Sequence, residues 1–574
     1  MTRDQPTSPD SALRSIGSTS ARFASVGLWS LTLLLLVAGV TLRWRQHDRQ
    51  PLDFDEYLHL HLAWCWTQDQ VPGVDYWDNH LPLLHLLLAT LQPIGGETIA
   101  TIYVARGAML VISLGILAAT YLLARIALGA RTGWAAAALL ACVQVFTEKT
   151  AEVRPDAGMI LFVVLAVTCI LKAGQARTAR VGGWYCFAAG ATLGVALLFS
   201  TKTLMLLAAL VPALGIIAWR QPSRPQAKKL LFQAAWAAFG LAASVAPLLI
   251  FLASRGALAD LLRFSVVDNL RFADRVPPWR WLQPSWSTPL ALVFVAGGVQ
   301  AAVNQFRKGD DRDAQMLLLV IAAVLVALFV LIMPSPYAHS ACLFIPFLAV
   351  LGGHLLRSAI DWAGDGSRHS GKRLAGGLIA LLILLPGMGD SLLRLQLAHT
   401  GDRAALNRQI EVVRETLAIT APGDRVFADT PIPIFRQHAC FYPALWDGVV
   451  NGFESGKIEP PIREHLRRYG CTLIVRRLPA RVLPTLDGTF IESHFVPYRP
   501  SLLVPGRHHP AERFADGMVI FDAVTAGRYT IYSDAQVWVD GLKAEKDVHL
   551  EAGRHEIVCS PPVADVTLIR KPGQ

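Results

Sequence analysis

Apolar runs dominate the chain from Phe23 to about residue 393, each separated from the next by a short polar break. Roughly twenty apolar residues cross a bilayer. The pattern predicts eleven spans, at 23–42, 101–123, 132–147, 157–171, 184–200, 203–219, 230–253, 288–306, 314–333, 338–356 and 374–393. Two longer polar stretches interrupt the series. Within 43–100, Glu56–Asp69 reads as a helix. Leu81–Leu91 reads as a second, apolar one, too short to span but suited to an interface. Trp64, Trp66 and Trp77 fit the same depth. The stretch 254–287 is also basic, Trp-rich and partly amphipathic. Beyond 394 the period changes. Helix-then-strand units such as "PIREHLRRYGCTLIVRRL" predict an α/β domain over 394–510. Gly-punctuated alternation, as in "AGRYTIYSDAQVWVDG", predicts a small β-sandwich-like module over 511–574.

Charge orients this scheme. With the N-terminus in the cytoplasm, the inner segments 1–22, 124–131, 172–183, 220–229, 307–313 and 357–373 carry 19 Lys and Arg. The short outer connections 148–156, 201–202 and 334–337 carry 3. Short loops obey the positive-inside rule, so loops 43–100 and 254–287 and everything after 394 lie outside. Arg43, Arg45 and Arg49 run weakly against the rule. Residues 1–22, rich in Ser, Thr and Pro, read as a disordered cytoplasmic tail. The run after it lacks a small-residue cleavage site and reads as a retained span.

Composition agrees. The chain is 53% hydrophobic and 17% charged, with mean hydropathy +0.40, against roughly 25% charged in soluble domains. The net charge of +10 sits in short loops, so it is a topology signal and not a nucleic-acid surface. The fold class expected is a polytopic α-helical membrane protein with an extracytoplasmic α/β plus β C-terminal region, in the cytoplasmic (inner) membrane. Eight cysteines form no CxxC pair; a disulfide between Cys440 and Cys471 stays open.

Ionisable groups at the ends of spans are costly and need a reason. Here they gather on one side: Asp55, Glu56, Asp75, Asp78 and His80 in the first loop, Glu148, Lys149, Glu152, Arg154 and Asp156 in the second. Lys202 follows in "FSTKT", and Tyr337 and His339 in "PSPYAHS". Any one of these reads equally well as a solvated turn or a snorkelling lysine. Together, under amphipathic loops, they suit a lipid-linked substrate with a charged head group. A metal site at His59 and His61 is disfavoured, since two residues apart on a helix they point some 200° apart. Transporters place charge near the midplane in broken helices, a pattern missing here. A non-enzymatic transporter, or a flippase or ligase for lipid-linked glycans, stands as the alternative to an enzyme.

The runs "FDEYLHLHLAWCW", "VPGVDYWDNHLPLLHLL", "RPD", "STK" and "PYAHSACLFIPFLAVLGG" resemble the protein O-mannosyltransferase and aminoarabinose transferase superfamily. These are integral-membrane glycosyltransferases of the C-type (GT-C) fold that use polyprenyl-phosphate sugars. The resemblance covers about 50–393. It implies a general base at Asp55, with Glu56 beside it, and donor-phosphate contacts at Arg154 and Lys202. His80 stands where many relatives carry Lys. Asp75, Asp78, Asp156, Tyr337 and His339 are implied as substrate-binding. The implied reaction moves a sugar from a polyprenyl phosphate to a hydroxyl of a glycan, lipid or protein, by one inverting displacement if a single carboxylate acts. A retaining route would need a second carboxylate, for which Glu56 stands in line. No cofactor is required, and a divalent metal is compatible but demanded by no ligand set. The 254–287 loop is expected to close over the site.

Overall fold

The computed structural model describes residues 9–220, 224–271, 288–306, 312–333, 337–365, 370–397, 402–430, 432–476, 485–515, 517–561 and 564–573. The chain begins with α1 (Pro9–His47), then α2 (Phe54–Thr67), α3 (Leu83–Gly95), α4 (Ala100–Leu128), α5 (Ala130–Cys142) and α6 (Gln144–Ala151). It continues through α7 (Pro155–Gln175), α8 (Ala179–Phe199), α9 (Thr203–Arg220), α10 (Arg224–Ser254), α11 (Leu258–Leu262) and α12 (Asn269–Arg271). The bundle closes with α13 (Thr288–Asn304), α14 (Arg312–Leu331), α15 (Ala338–Ala341), α16 (Ile345–Ala363) and α17 (Ser370–Leu397). A helix lies at each of the eleven predicted spans. Among the described residues, seven are long and apolar enough to cross a membrane: α1 from Arg22, α4, α7, α8, α10 from Lys229, α14 and α17.

Three details depart from the sequence reading. Helix α1 starts at Pro9, so most of the stretch expected to be a disordered tail is helical; Pro at the first helical position suits such a start. The span expected over 132–147 is broken. Helix α5 stops at Cys142, Val143 is extended (φ −70°, ψ 115°), and α6 begins a residue later. The carbonyl of Ala141 freed by this break accepts from Arg43 Nη1 at 2.7 Å and Thr147 Oγ1 at 3.1 Å. Helix α5 is also buried all round from Ala135 to Cys142, a core element and not a lipid-facing span. Its Ala-rich surface lets backbones close in. A Cβ on Gly39 of α1 would stand 2.5 Å from the Ala141 oxygen. The Trp-rich half of the 254–287 loop, 272–287, lies outside the described residues.

The C-terminal region holds α18 (Asp402–Ile419), β1 (Arg425–Ala428), β2 (Gln437–His438), α19 (Asp447–Glu454), α20 (Ile462–Tyr469), β3 (Cys471–Val475), α21 (Thr485–His494), β4 (Phe495–Arg499) and β5 (Leu502–His509). It ends with β6 (Met518–Ala523), β7 (Gly527–Tyr532), β8 (Gln536–Val539), β9 (Leu542–Lys543), β10 (Asp547–Leu550), β11 (Gly553–Ser560) and β12 (Val566–Arg570). One eight-stranded sheet runs β10-β7-β12-β5-β3-β1-β2, with β4 also on β5. Strands β2, β1 and β3 are parallel, with α19 and α20 in the crossover from β2 to β3; the others pair antiparallel. A second sheet, β6-β11-β8-β9, covers β7 and β12 across a core that includes Phe514, Phe521, Tyr529 and Leu568. Strand β5 thus joins the α/β part and the β part in one sheet.

This region docks on the connection between α1 and α4. Leu52 N–H donates to Gln409 Oε1 at 2.7 Å, and Gln409 Nε2 donates back to the Leu52 carbonyl at 2.9 Å. His61 Nδ1 donates to the Ile434 carbonyl at 3.1 Å, and Trp77 N–H to that of Phe441 at 2.8 Å. Trp77 is fully buried against Trp446 and Tyr442, while buried Trp64 donates to Glu97 at 2.8 Å. These two tryptophans are not membrane anchors, as the sequence suggested; a protein surface covers them.

Candidate active site

The site lies where the ends of α1, α6, α8 and α14 meet the starts of α2, α7, α9 and α15. Asp53 is the N-cap of α2. Its carboxylate accepts from Asp55 N–H at 3.1 Å, and Glu56 Oε2 accepts from Asp53 N–H at 3.0 Å, which closes a capping box. The box points Asp55 outward and Glu56 inward. Pro155 opens α7, with Asp156 in its first turn, where a carboxylate suits the helix dipole.

Arg154, nearly buried, joins these elements. Its Nη1 pairs with Asp55 and lies 3.3 Å from His339 Nδ1; Nη2 holds Asp53 and Nε holds Glu152, both at 2.5 Å. Lys149 reaches Glu152 at 2.7 Å and Asp53 at 3.6 Å. Lys202 Nζ donates to Asp156 at 2.7 Å. Burial works against the Arg154 cation, but Asp55, Glu152 and Asp53 outweigh it and hold its ionisation well above the ordinary arginine value. Burial likewise raises the Asp53 carboxyl, and Arg154 and Lys149 bring it below the usual range.

Of the residues singled out in the sequence, the structure brings together Asp55, Arg154, Asp156, Lys202, His339 and His80. Tyr337 stacks on His339, rings 5.5 Å apart. Asp78 is buried behind His80. Two others stand apart. Asp75 is exposed and caps its own turn by accepting from Val71 N–H at 2.7 Å. Glu56 has no exposed surface. It accepts from Arg106 at 2.7 and 2.9 Å, from Val153 N–H at 3.1 Å and from the cap. Its carboxylate is thus fully engaged by the bundle and the cap. Asp53 joins the same cluster through Arg154 and Lys149.

Arg106 also belongs to this framework: a lone Arg inside the apolar "IYVARGAML" asks for a buried acid. Beyond Glu56 it donates to the carbonyls of Gln50 at 2.7 Å and Pro51 at 3.2 Å. The pair thereby ties α4 to the start of α2 and to the 152–154 turn. His59 and His61 do diverge. His61 faces the C-terminal domain; His59 bonds His85, Nδ1 to Nε2 at 2.9 Å. The described part of the second amphipathic loop reaches the site rim. Asn269 and Asn79 exchange hydrogen bonds at 2.7 and 3.1 Å, and Phe264 packs on Trp77. Among the described residues, no three His, Cys, Asp or Glu are arranged to hold a metal ion.

Residues 79–251 match the family described as dolichyl-phosphate-mannose-protein mannosyltransferase. No curated protein matches the chain by sequence. Among solved structures, ArnT from Cupriavidus metallidurans in the apo state is similar with TM-score 0.58 and 14% identity, over 82% of this chain and 97% of that one. ArnT bound to undecaprenyl phosphate gives 0.56 and 13%, over 92% and 97%. The oligosaccharyltransferase AglB from Archaeoglobus fulgidus, in complex with an inhibitory peptide and a dolichol-phosphate, gives 0.50 and 15%, over 78% and 69%. The chain is a multi-pass membrane protein with the GT-C fold. The resemblance to polyprenyl-phosphate-sugar glycosyltransferases, drawn from its motifs, is borne out.

Proposed function

We propose that the protein is a glycosyltransferase that moves a sugar from a polyprenyl phosphate to an acceptor hydroxyl, in a single inverting displacement. The reaction runs at the outer face of the cytoplasmic membrane, with the C-terminal domain on the same side. The observation that carries this reading is the convergence of Asp55, Arg154, Asp156, Lys202 and His339 from four separate connections. A phosphodiester leaving group needs positive charge more than a strong acid, and Arg154 and Lys202 supply it. The carboxylates now on these cations hold them in place for the donor. When phosphate takes over Arg154, Asp55 is released to accept the acceptor's proton. The acceptor is a glycan, lipid or protein hydroxyl. The polyprenyl tail lies along apolar grooves between spans, among membrane lipid, and the 254–271 segment closes the rim. No cofactor enters the steps drawn.

Asp55→Asn is isosteric and should abolish transfer from a polyprenyl-phosphate sugar while membrane abundance stays normal. Full activity in that variant removes Asp55 as base. Mass spectrometry of envelope glycans from cells lacking the protein should show one sugar missing, and an unchanged glycan profile sinks the reading.

A further inference from the structure

Behind the phosphate-facing cations lies a cluster of imidazoles on one carboxylate, which the reaction above does not use. Asp78 is fully buried. Its Oδ1 accepts from His80 N–H at 2.9 Å and stands 3.2 Å from His80 Nδ1. Its Oδ2 stands 3.3 Å from His85 Nδ1, within ion-pair range but off the line of a hydrogen bond. His85 Nε2 meets His59 Nδ1, and the His59 ring lies edge-on to His80 with centroids 4.7 Å apart. His59 and His85 have no more than 1% of their surface exposed, whereas the His80 side chain keeps 27%. His80 is therefore the member of this cluster that keeps an open side. His80, Arg154 and Lys202 all lie near enough to act on both His59 and His339, which places His80 beside the site cations.

The bonding fixes what His80 presents. A carboxylate on Nδ1 holds a proton there, so Nε2 points away as the exchanging nitrogen. Burial alone raises the Asp78 carboxyl, but His85 and His80 outweigh it and hold it well below the usual range, so it stays an anion. His59, desolvated and surrounded by cations, is kept neutral. The titratable and charged groups around His80 are then the Asp78 anion, neutral His59 from α2, His85 from α3, His339 from α15, and the Arg154 and Lys202 cations.

We propose that His80, oriented by Asp78, is a catalytic residue that donates a proton from Nε2 to the departing phosphate; this rests on the glycosyl-transfer reading. The sugar C1–O bond to phosphate breaks and the C1–O bond to the acceptor forms. The acceptor's proton goes to Asp55, and the Nε2 proton of His80 goes to the freed phosphate oxygen. His80 regains a proton from solvent as Asp55 loses one, so the cycle balances. The match is chemical. A phosphate monoester has its second ionisation near pH 6 and an imidazole near 6.5, so one proton can be shared between them. A lysine there would supply charge and no transferable proton near neutrality.

The test uses undecaprenyl phosphate, the bare leaving group, which requires no knowledge of sugar or acceptor. Its affinity for the full-length protein in nanodiscs is measured from pH 5 to 8.5, with 31P spectra of the bound lipid. Wild type should bind about tenfold more weakly at pH 8.5 than at 6, and the 31P shift should titrate in two coupled steps. His80→Lys should bind with little pH dependence over this range and titrate in one step. His80→Gln should bind weakly throughout. Asp78→Asn should move the loss of wild-type affinity to lower pH, because the imidazolium loses its anion. Melting temperatures separate misfolded variants from informative ones. If wild type does not bind the lipid, the glycosyl-transfer reading fails and the proposal with it. If it binds, and His80→Lys reproduces its pH profile and its two-step 31P titration, the proposal alone is overturned.

Discussion

Asp55 and Glu56 are chain neighbours with opposite fates, and the capping box decides which is which. Glu56 must reach back to the Asp53 amide, so it points into the bundle, where Arg106 meets it. Removing one partner of such a buried pair costs about 3–5 kcal/mol, because the other charge is left unpaired. Glu56→Gln and Arg106→Met should therefore lower the melting temperature and the yield of folded protein, whereas Asp55→Asn, at a partly exposed side chain whose Arg154 partner keeps Asp53 and Glu152, should lower them much less. An Arg106→Met protein as stable as wild type would contradict this division. Lys202→Met should weaken donor use more than acceptor use, since Lys202 pairs with Asp156, whose charge also bears on Arg154. Unchanged donor kinetics would remove its phosphate role. The motifs "DFDE" and "RPD" made the acids and the arginine legible. The inward turn of Glu56 was not, although the residues of its capping box were already in view.

Helices show the same split between composition and context. Period and apolar length put a helix at each of the eleven spans, because a bilayer imposes its length on sequence. The break at Val143 escaped notice, because the residues around it are as apolar as a continuous span. What ends α5 is tertiary: Arg43 and Thr147 claim the Ala141 carbonyl. Contact between α1 and α5 is close at this point. Gly39→Val would drive a side chain into the Ala141 carbonyl, and overpacking of this kind costs about 1–3 kcal/mol. The expected result is a lower melting temperature with the 149–154 turn displaced, read as faster hydrogen exchange there. Exchange equal to wild type would show that the two helices yield without cost. Trp64 and Trp77 were misassigned for a related reason. A tryptophan beside a membrane segment looks the same in sequence whether lipid or a domain covers it.

The molecule as a whole is held together across the junction of the α1–α4 connection with the C-terminal domain. Burial lowers His61 to about 4, and His438 beside it to about 3. It lowers His465 and His509 to about 4. Unfolded, each binds a proton near pH 6.5. Below that value the unfolded chain holds more protons than the folded one, so stability is full above about pH 6.5 and declines as pH falls toward 4. Thermal unfolding should have a lower midpoint at pH 5 than at pH 7, with hydrogen exchange rising first at Leu52, His61 and Trp77. An equal midpoint at the two pH values would mean that these histidines are hydrated in solution. Nothing in the alternation of the C-terminal strands announced this docking, because the hydrogen bonds that make it run mostly to backbone carbonyls.

All eight cysteines are free thiols, and in the C-terminal domain Cys440 and Cys471 are buried and pushed up to about 12. The domain therefore owes none of its cohesion to an oxidant, and a reducing agent should leave it intact. The same two sulfurs serve as a clock. Alkylating reagents need a thiolate and access, so modification of Cys440 and Cys471 times each opening of the domain, while donor or acceptor occupies the bundle below.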